Sequence, residues 1–285
     1  MPPDSLTPPA GLDHTSAAAL HARYHAAPAA SPPAWNAVLD TLLRHRSVRA
    51  YLPDPLPPGT LETLVAAAQS ASSSSNLQTW SVIAVEDRTR KARLAAIAAN
   101  QKHIVQAPLF LVWLADLARL GAIAERSGVA VEGLDYLELL VVAMVDAALA
   151  AQNATVALEG LGLGAVYIGA VRNDIEAVAA ELDLPARVMP LFGLCVGYPD
   201  PAIPTDVKPR LPQAVVLHRE TYRHGAASPD AVAGYDEAMR TFQAVQRMDG
   251  DVWSRKVVER VRTPASLTGR HRMREALGKL GFQLR

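Results

Sequence analysis

With 285 residues, half of them apolar, the chain can bury a substantial core, enough for one large domain or two small ones. Its 28 Lys and Arg balance 28 Asp and Glu, so the whole-protein field argues for neither nucleic acid nor an anionic membrane as a partner, and any basic site must be local. The single cysteine, Cys195, excludes an intrachain disulfide; in the apolar run Leu191 to Val196 it reads as an inert buried thiol, and the simplest compartment is the cytoplasm.

Residues 1–33 are rich in Pro and Ala, lack the basic start and unbroken apolar stretch of a secretory signal, and are expected to form a mobile or edge-packing extension. His14, His21 and His25 could share a helical face as metal ligands, but no acid or thiol completes a set, so ordinary surface histidines are expected. Residues 34–285 are expected to be the folded domain.

Val38, Leu39, Leu42 and Leu43 recur at helical spacing, so Trp35 to Leu43 should be a helix that delivers Arg44-His45-Arg46-Ser47-Val48-Arg49 into an extended segment. Extended backbone would place His45, Ser47 and Arg49 on one face, and arginine forks suit phosphate: the geometry of a phosphate clamp. Read in isolation, such a run is a solvated helix end. Pro53 to Pro58 bar regular structure, Thr60 can cap the helix Leu61 to Ala71, and the serines 72–75 form a polar loop able to offer donors to an anion.

Trp80 to Val85 reads as a buried strand, Arg88 to Ala99 as a helix, and Pro108 to Ala115 as a strand apolar on both faces, as a helix-covered sheet requires. The longest helical pattern runs from about Leu134 to Leu161. Leu137, Leu140, Val141, Met144, Val145, Ala148, Ala151 and Gln152 lie on a broad face expected to contribute to a subunit interface. Within it, Leu139 to Val145 is uninterrupted apolar sequence that Asp146 ends well short of the ~20 residues of a membrane span, so none is expected.

Gly160-Leu161-Gly162-Leu163-Gly164 closes a helix and precedes the strand Ala165 to Ile168, the reverse of a dinucleotide-binding glycine loop, so it is a helix stop and turn. Asn173-Asp174 can cap a helix through Glu181, and Leu191 to Gly197 gives a fourth strand. The Pro-punctuated passage through Pro201, Pro204, Pro209 and Pro212 suits an arm wrapping a partner subunit, before helices near Pro229 to Arg247 and Trp253 to Arg262. Strands alternating with helices argue for an α+β, three-layer α/β/α domain.

Five separated motifs stand in a telling order: His45-Arg46-Ser47-Val48-Arg49, the serines 72–75 with Leu77-Gln78, Gln101-Lys102-His103, Leu161 to Gly169 after Ala151-Gln152-Asn153, and Pro190 to Pro199 followed by Lys208-Pro209-Arg210. Together they resemble the FMN-dependent nitroreductase family, in particular its oxygen-insensitive group A nitroreductases and flavin reductases, over roughly Leu43 to Tyr222. The resemblance implies a nitroreductase-like fold with a central mixed sheet, a long central helix and a C-terminal arm exchanged in a homodimer.

It also implies roles. His45, Arg46, Ser47, Lys208 and Arg210 would hold the FMN phosphate and ribityl chain, and Arg49 would sit at the flavin N1 and O2 edge, stabilising the charge of the reduced ring. Gln101 would bond the pyrimidine edge, the backbone of Tyr167, Ile168 and Gly169 would approach N5 and O4, and Ser73, Ser74 and Ser75 would reach the cofactor of the other subunit. Asn76 would stand beside the acceptor. NADPH or NADH would reduce the flavin, and a nitroaromatic, quinone or free flavin would then take two electrons, in ping-pong turnover without a catalytic triad. Arg247-Met248-Asp249-Gly250-Asp251-Val252-Trp253 resembles a short, acidic version of the loop with which relatives read the NADPH 2′-phosphate; Arg247 would then contact the nucleotide, and the NADPH preference should be weakened. The alternative is an FMN-binding or flavin-storage protein without turnover.

Overall fold

The computed structural model describes residues 16–25, 34–248 and 250–285, so His14 and Asp249 lie outside it. In chain order the elements are α1 (Ser16–Tyr24), α2 (Ala37–Leu43), α3 (Thr60–Gln69), β1 (Trp80–Val85), α4 (Arg88–Ile97), α5 (Lys102–Gln106), β2 (Leu109–Asp116) and α6 (Ala118–Ser127). There follow α7 (Leu137–Gly160), β3 (Gly164–Ile168), α8 (Ile175–Glu181), β4 (Val188–Gly197), α9 (Gln213–Val216), α10 (Pro229–Val245), α11 (Trp253–Val261) and α12 (Met273–Lys279). They form two compact units, Ser47–Ile203 with Arg260–Arg285, and Met1–Arg46 with Pro204–Glu259.

The larger unit is built on a sheet of order β1-β2-β4-β3. Its named strands all pair antiparallel, and parallel pairing is confined to the bridge between Ser47 and Ala165. Alternation along β2 assigns the two faces. Leu109, Leu111 and Trp113 join Leu64 and Ala68 of α3 and Ala150, Ala151, Ala154 and Leu158 of α7 in one apolar layer. Phe110, Val112 and Leu114 join Leu94 and Ala95 of α4 and Val178 of α8 in the other. The result is the expected three-layer α/β/α arrangement. The Phe110 ring lies over Gly193 of β4, where a side chain would collide with it.

By length and mean hydropathy, 1.6 over its apolar window, α7 could cross a bilayer. Here the buried alanines Ala143, Ala147, Ala150, Ala151 and Ala154 let it lie close on the sheet. Its core face is Leu140, Ala143, Ala147, Ala150, Ala151, Ala154 and Leu158, whereas Leu137, Val141, Val145 and Leu149 stay 40–51% exposed. The broad face drawn from sequence therefore mixes two: Leu140 and Ala151 belong to the core, and the outer stripe repeats every four residues.

The segment after the basic box runs along the β3 edge. Val48 N–H donates to the Ala165 carbonyl at 2.9 Å and Leu52 N–H to that of Tyr198 at 3.0 Å. Val48 and Tyr51 point inward. A Cβ at Gly164 would lie 2.6 Å from a Val48 methyl, so glycine there admits the box. Gly162, at φ +78°, stops α7 as expected.

In the smaller unit, Tyr235, Met239 and Phe242 of α10 pack with Leu211 and Trp253. Asn36 caps α2 by accepting from Leu39 N–H at 3.0 Å.

Two sequence readings change. Gly59, not Thr60, is the N-cap of α3, and Thr60 is already helical. β1 is an edge strand, partly exposed along most of its length, because nothing pairs beyond it. Within the N-terminal extension, Ser16–Tyr24 is helical, and among the described residues no cluster of His, Cys, Asp or Glu could hold a metal.

Candidate functional site

In the larger unit, Val48 anchors the box and leaves Ser47 half-buried and Arg49 exposed. The Tyr51 hydroxyl donates to the Val48 carbonyl at 2.6 Å, and burial pushes the phenol pKa far up, so it acts as a fixed donor. Gln101 is the residue before α5, half-buried, and its side-chain amide makes no hydrogen bond to a described residue, leaving it available to a ligand. Two residues on, His103 has a buried Nε2 without a partner among the described residues. Burial, then the Arg49 guanidinium, holds its pKa below the usual histidine value, which places Arg49 within electrostatic reach of α5.

Around β3, Tyr167 Oη lies 2.9 Å from Thr155 Oγ1 and its ring meets Phe192 edge-on at 5.3 Å, which fixes the strand end carrying Ile168 and Gly169. A Cβ at Gly169 would stand 3.4 Å from Arg172. Arg172 donates to the Leu191 carbonyl, and burial lowers its pKa. Arg270 Nε donates to Asn173 Oδ1 at 3.0 Å, and its pKa is lowered by burial and then by the Arg172 and Arg260 charges. Among the described residues none of these three guanidiniums has a carboxylate partner. The half-buried Arg172 and Arg270, with the exposed Arg260 near them, form a set of like charges suited to an anionic group. Sequence reasoning missed Arg172 and Arg270; the only signal was two arginines, far apart in sequence, each next to a glycine or asparagine turn.

The serine loop is held by Asp146 of α7, buried to 1% exposure. Ser73 Oγ donates to Asp146 Oδ2 at 2.6 Å, Ser74 N–H to Oδ1 at 3.1 Å, and the Thr79 hydroxyl and N–H to Oδ2 at 3.2 and 3.3 Å. Ser73 is thus tied to its own chain, while Ser74, Ser75 and Asn76 are exposed. Ser75, Asn76 and Gln78 all have φ near +50°, a strained, presented loop. Asn76 Oδ1 accepts from Gln78 Nε2 at 3.2 Å. An apolar groove of about 590 Å³, lined by Leu77, Ile123, Val131, Leu134 and Leu139 among others, opens beside it.

In the smaller unit, His45 and Lys208 are half-buried and Arg46 and Arg210 exposed. Arg46 Nε donates to Thr205 Oγ1 at 3.2 Å. Lys208 Nζ lies 5.8 Å from the Phe242 ring centre, and Tyr235 Oη donates to the Pro209 carbonyl at 3.0 Å. Arg23 of α1 binds the carbonyls of Lys208, Leu43 and His45 at 2.8–2.9 Å. One unit therefore gathers His45, Arg46, Lys208 and Arg210 onto a common backbone frame, and among the described residues neither Arg46 nor Arg210 pairs with a carboxylate. Arg247 is exposed with φ +52°, just past α10. Cys195 is fully buried, with burial pushing its thiol pKa far up, as expected of an inert residue.

The nitroreductase family model matches residues 42–198, and the family's C-terminal domain matches residues 208–285. The chain is 39% identical over 218 residues to an oxygen-insensitive NADPH nitroreductase of Salmonella typhimurium, covering 76% of this chain and 87% of that protein. It is 43% identical over 188 residues to an FMN reductase (NADPH) of Bacillus subtilis, covering 66% and 75%. Among solved structures, the NADPH:FMN oxidoreductase of Vibrio harveyi complexed with NAD+ superposes with a TM-score of 0.78 at 34% identity, covering 88% of this chain and all of that one. The matched segments carry the basic box, the sheet, α7 and the Lys208-Pro209-Arg210 segment, and the chain belongs to the nitroreductase family.

Proposed function

We propose that the chain is an NAD(P)H-dependent oxidoreductase that uses FMN to reduce nitroaromatics, quinones or free flavin. The observation that carries this reading is the cation set of the smaller unit, where Arg23 joins the backbones of the His45 and Lys208 segments. A dianionic phosphate supplies the charge that Arg46 and Arg210 otherwise lack. The cations of this unit fit the FMN phosphate, and in the larger unit, taken by itself, the uncommitted Gln101 amide and the backbone at Gly169 are each of a kind that suits a ring edge.

Bound FMN would supply two-electron chemistry between a nicotinamide and an acceptor, in ping-pong turnover. The protein's part is binding and electrostatics. His45, Arg46, Ser47, Lys208 and Arg210 hold the phosphate and ribityl chain. Arg49 would supply a positive charge that favours the reduced ring. Gln101 and the backbone of Tyr167, Ile168 and Gly169 orient the ring, and Asn76 with its neighbouring groove receives the acceptor. Arg247 contacts the nucleotide.

The working form is a homodimer with FMN at the interface. The exposed α7 stripe Leu137, Val141, Val145 and Leu149 supports this, because an apolar row on a long helix is the usual seat of a partner. Ser74 and Ser75, presented by the strained loop, reach the partner's cofactor, while Ser73 holds the loop. The location is cytoplasmic, in keeping with a lone buried thiol.

The test is the identity of the chromophore released from purified protein by heat, followed by turnover with NADPH and nitrofurazone, a quinone or FMN. Release of FMN and reduction of at least one acceptor are expected; a colourless protein that takes up no FMN overturns the reading.

A further inference from the structure

Arg23 belongs to none of the matched family segments, which begin at residue 42. It is 6% exposed and is the buried residue of α1, a nine-residue helix. A helix docked for apolar packing buries leucines or valines; this one buries a guanidinium, so hydrogen bonds rather than the hydrophobic effect decide how it docks.

The bonds it makes are specific. Nη1 donates to the Lys208 carbonyl at 2.9 Å, and Nη2 to those of Leu43 and His45 at 2.8 and 2.9 Å. In return, Arg210 N–H donates to the Arg23 carbonyl at 2.9 Å. The planar fork thus spans the end of α2, the start of the basic box and the Lys208-Pro209-Arg210 segment, which a single-point ammonium cannot do in one geometry. All of these residues lie in the smaller unit.

We propose that Arg23 is a positioning residue for phosphate: α1 is a brace, outside the family core, that locks the two cationic segments at the spacing that receives the FMN phosphate. Arg23 would act through the backbone of the clamp, whose carbonyls it binds. The inference rests on the phosphate-clamp reading above. It assigns a function to part of an extension for which the family pattern has no counterpart.

Comparison of FMN with riboflavin, which has the same ring and no phosphate, separates this role from general folding. With protein stripped of flavin and refilled, Arg23→Gln should raise the FMN Kd roughly tenfold, followed by flavin fluorescence, and leave the riboflavin Kd within about twofold. Arg23→Lys, which keeps the buried charge without the fork, should fall between wild type and Arg23→Gln. Lys208→Ala is the control for the clamp itself. If Lys208→Ala weakens FMN and both Arg23 variants bind FMN as wild type does, the brace is refuted and the clamp stands. Equal loss of FMN and riboflavin in Arg23→Lys, the gentler variant, would also refute it by showing a purely structural role. If Lys208→Ala leaves the preference for FMN over riboflavin intact, the clamp and the brace both fall.

Discussion

The Ser73 hydroxyl donates to Asp146 Oδ2 across 2.6 Å, tying the serine loop to the centre of the longest helix. Asp146 is fully buried yet satisfied, because two hydroxyls and two backbone N–H groups meet its two oxygens. The same carboxylate that interrupts an apolar run in sequence is the post on which an exposed, strained loop is mounted. Asp146→Ala strands those donors and is expected to cost about 2–4 kcal/mol, with Asp146→Asn costing less because one acceptor oxygen survives. Calorimetry measures the loss, and hydrogen exchange at the Ser74 and Thr79 amides should accelerate first.

Gly164 controls the approach of the basic box to the sheet edge, since a methyl there would stand 2.6 Å from Val48 and 2.9 Å from Pro199. Gly164→Ala is expected to destabilise by about 1–3 kcal/mol through overpacking. It should also weaken FMN binding by about tenfold, because Ser47 and Arg49 are carried on the same displaced segment. Thermal unfolding and flavin titration of the one variant check both.

His103 sets a pH dependence. Its folded pKa lies below the usual 6.5, by burial and by the Arg49 charge, so the unfolded chain binds its proton more readily. The associated stability is complete above about pH 6.5 and is lost as pH falls through the lower folded value. Urea midpoints measured from about pH 7.5 down to 5 should fall for the wild type and fall less for His103→Gln.

Nucleotide choice follows from charge. With Arg247 as the proposed nucleotide contact, a single exposed arginine stands ahead of Trp253, where Asp251 pairs with Arg255 at 3.5 Å, so the 2′-phosphate of NADPH is expected to gain less attraction than an arginine cluster would give. The values of kcat/KM for NADPH and NADH are expected to agree within about tenfold, a gap of ~1.4 kcal/mol. A hundredfold bias toward NADPH would contradict the weakened preference.

The sheet was legible because its strands are short apolar runs between turn signals, and β2 alternates toward two apolar layers without a polar residue before Asp116. Edge position was not: Trp80 to Val85 is as apolar as a central strand, and only pairing distinguishes them. α6 and α12 escaped notice for a different reason. Arg119, Gly121, Glu125 and Arg126 dilute the apolar period of the first, and α12 buries little beyond Ala276 and Leu277. At the site, His45, Arg46 and Lys208 could be found as motifs, since charge clusters survive in one dimension. Asp146, Arg172, Arg270 and Arg23 could not, because each derives its role from partners far along the chain.

The central claim is tested most directly by anaerobic titration of the purified, FMN-loaded protein with NADPH and, separately, NADH, followed in the visible absorbance of the flavin. Bleaching by one equivalent of nicotinamide per bound flavin, with colour restored by nitrofurazone or a quinone, is the expected result. A flavin that stays yellow under excess of both nucleotides would contradict the account and leave a protein that binds FMN without turning it over.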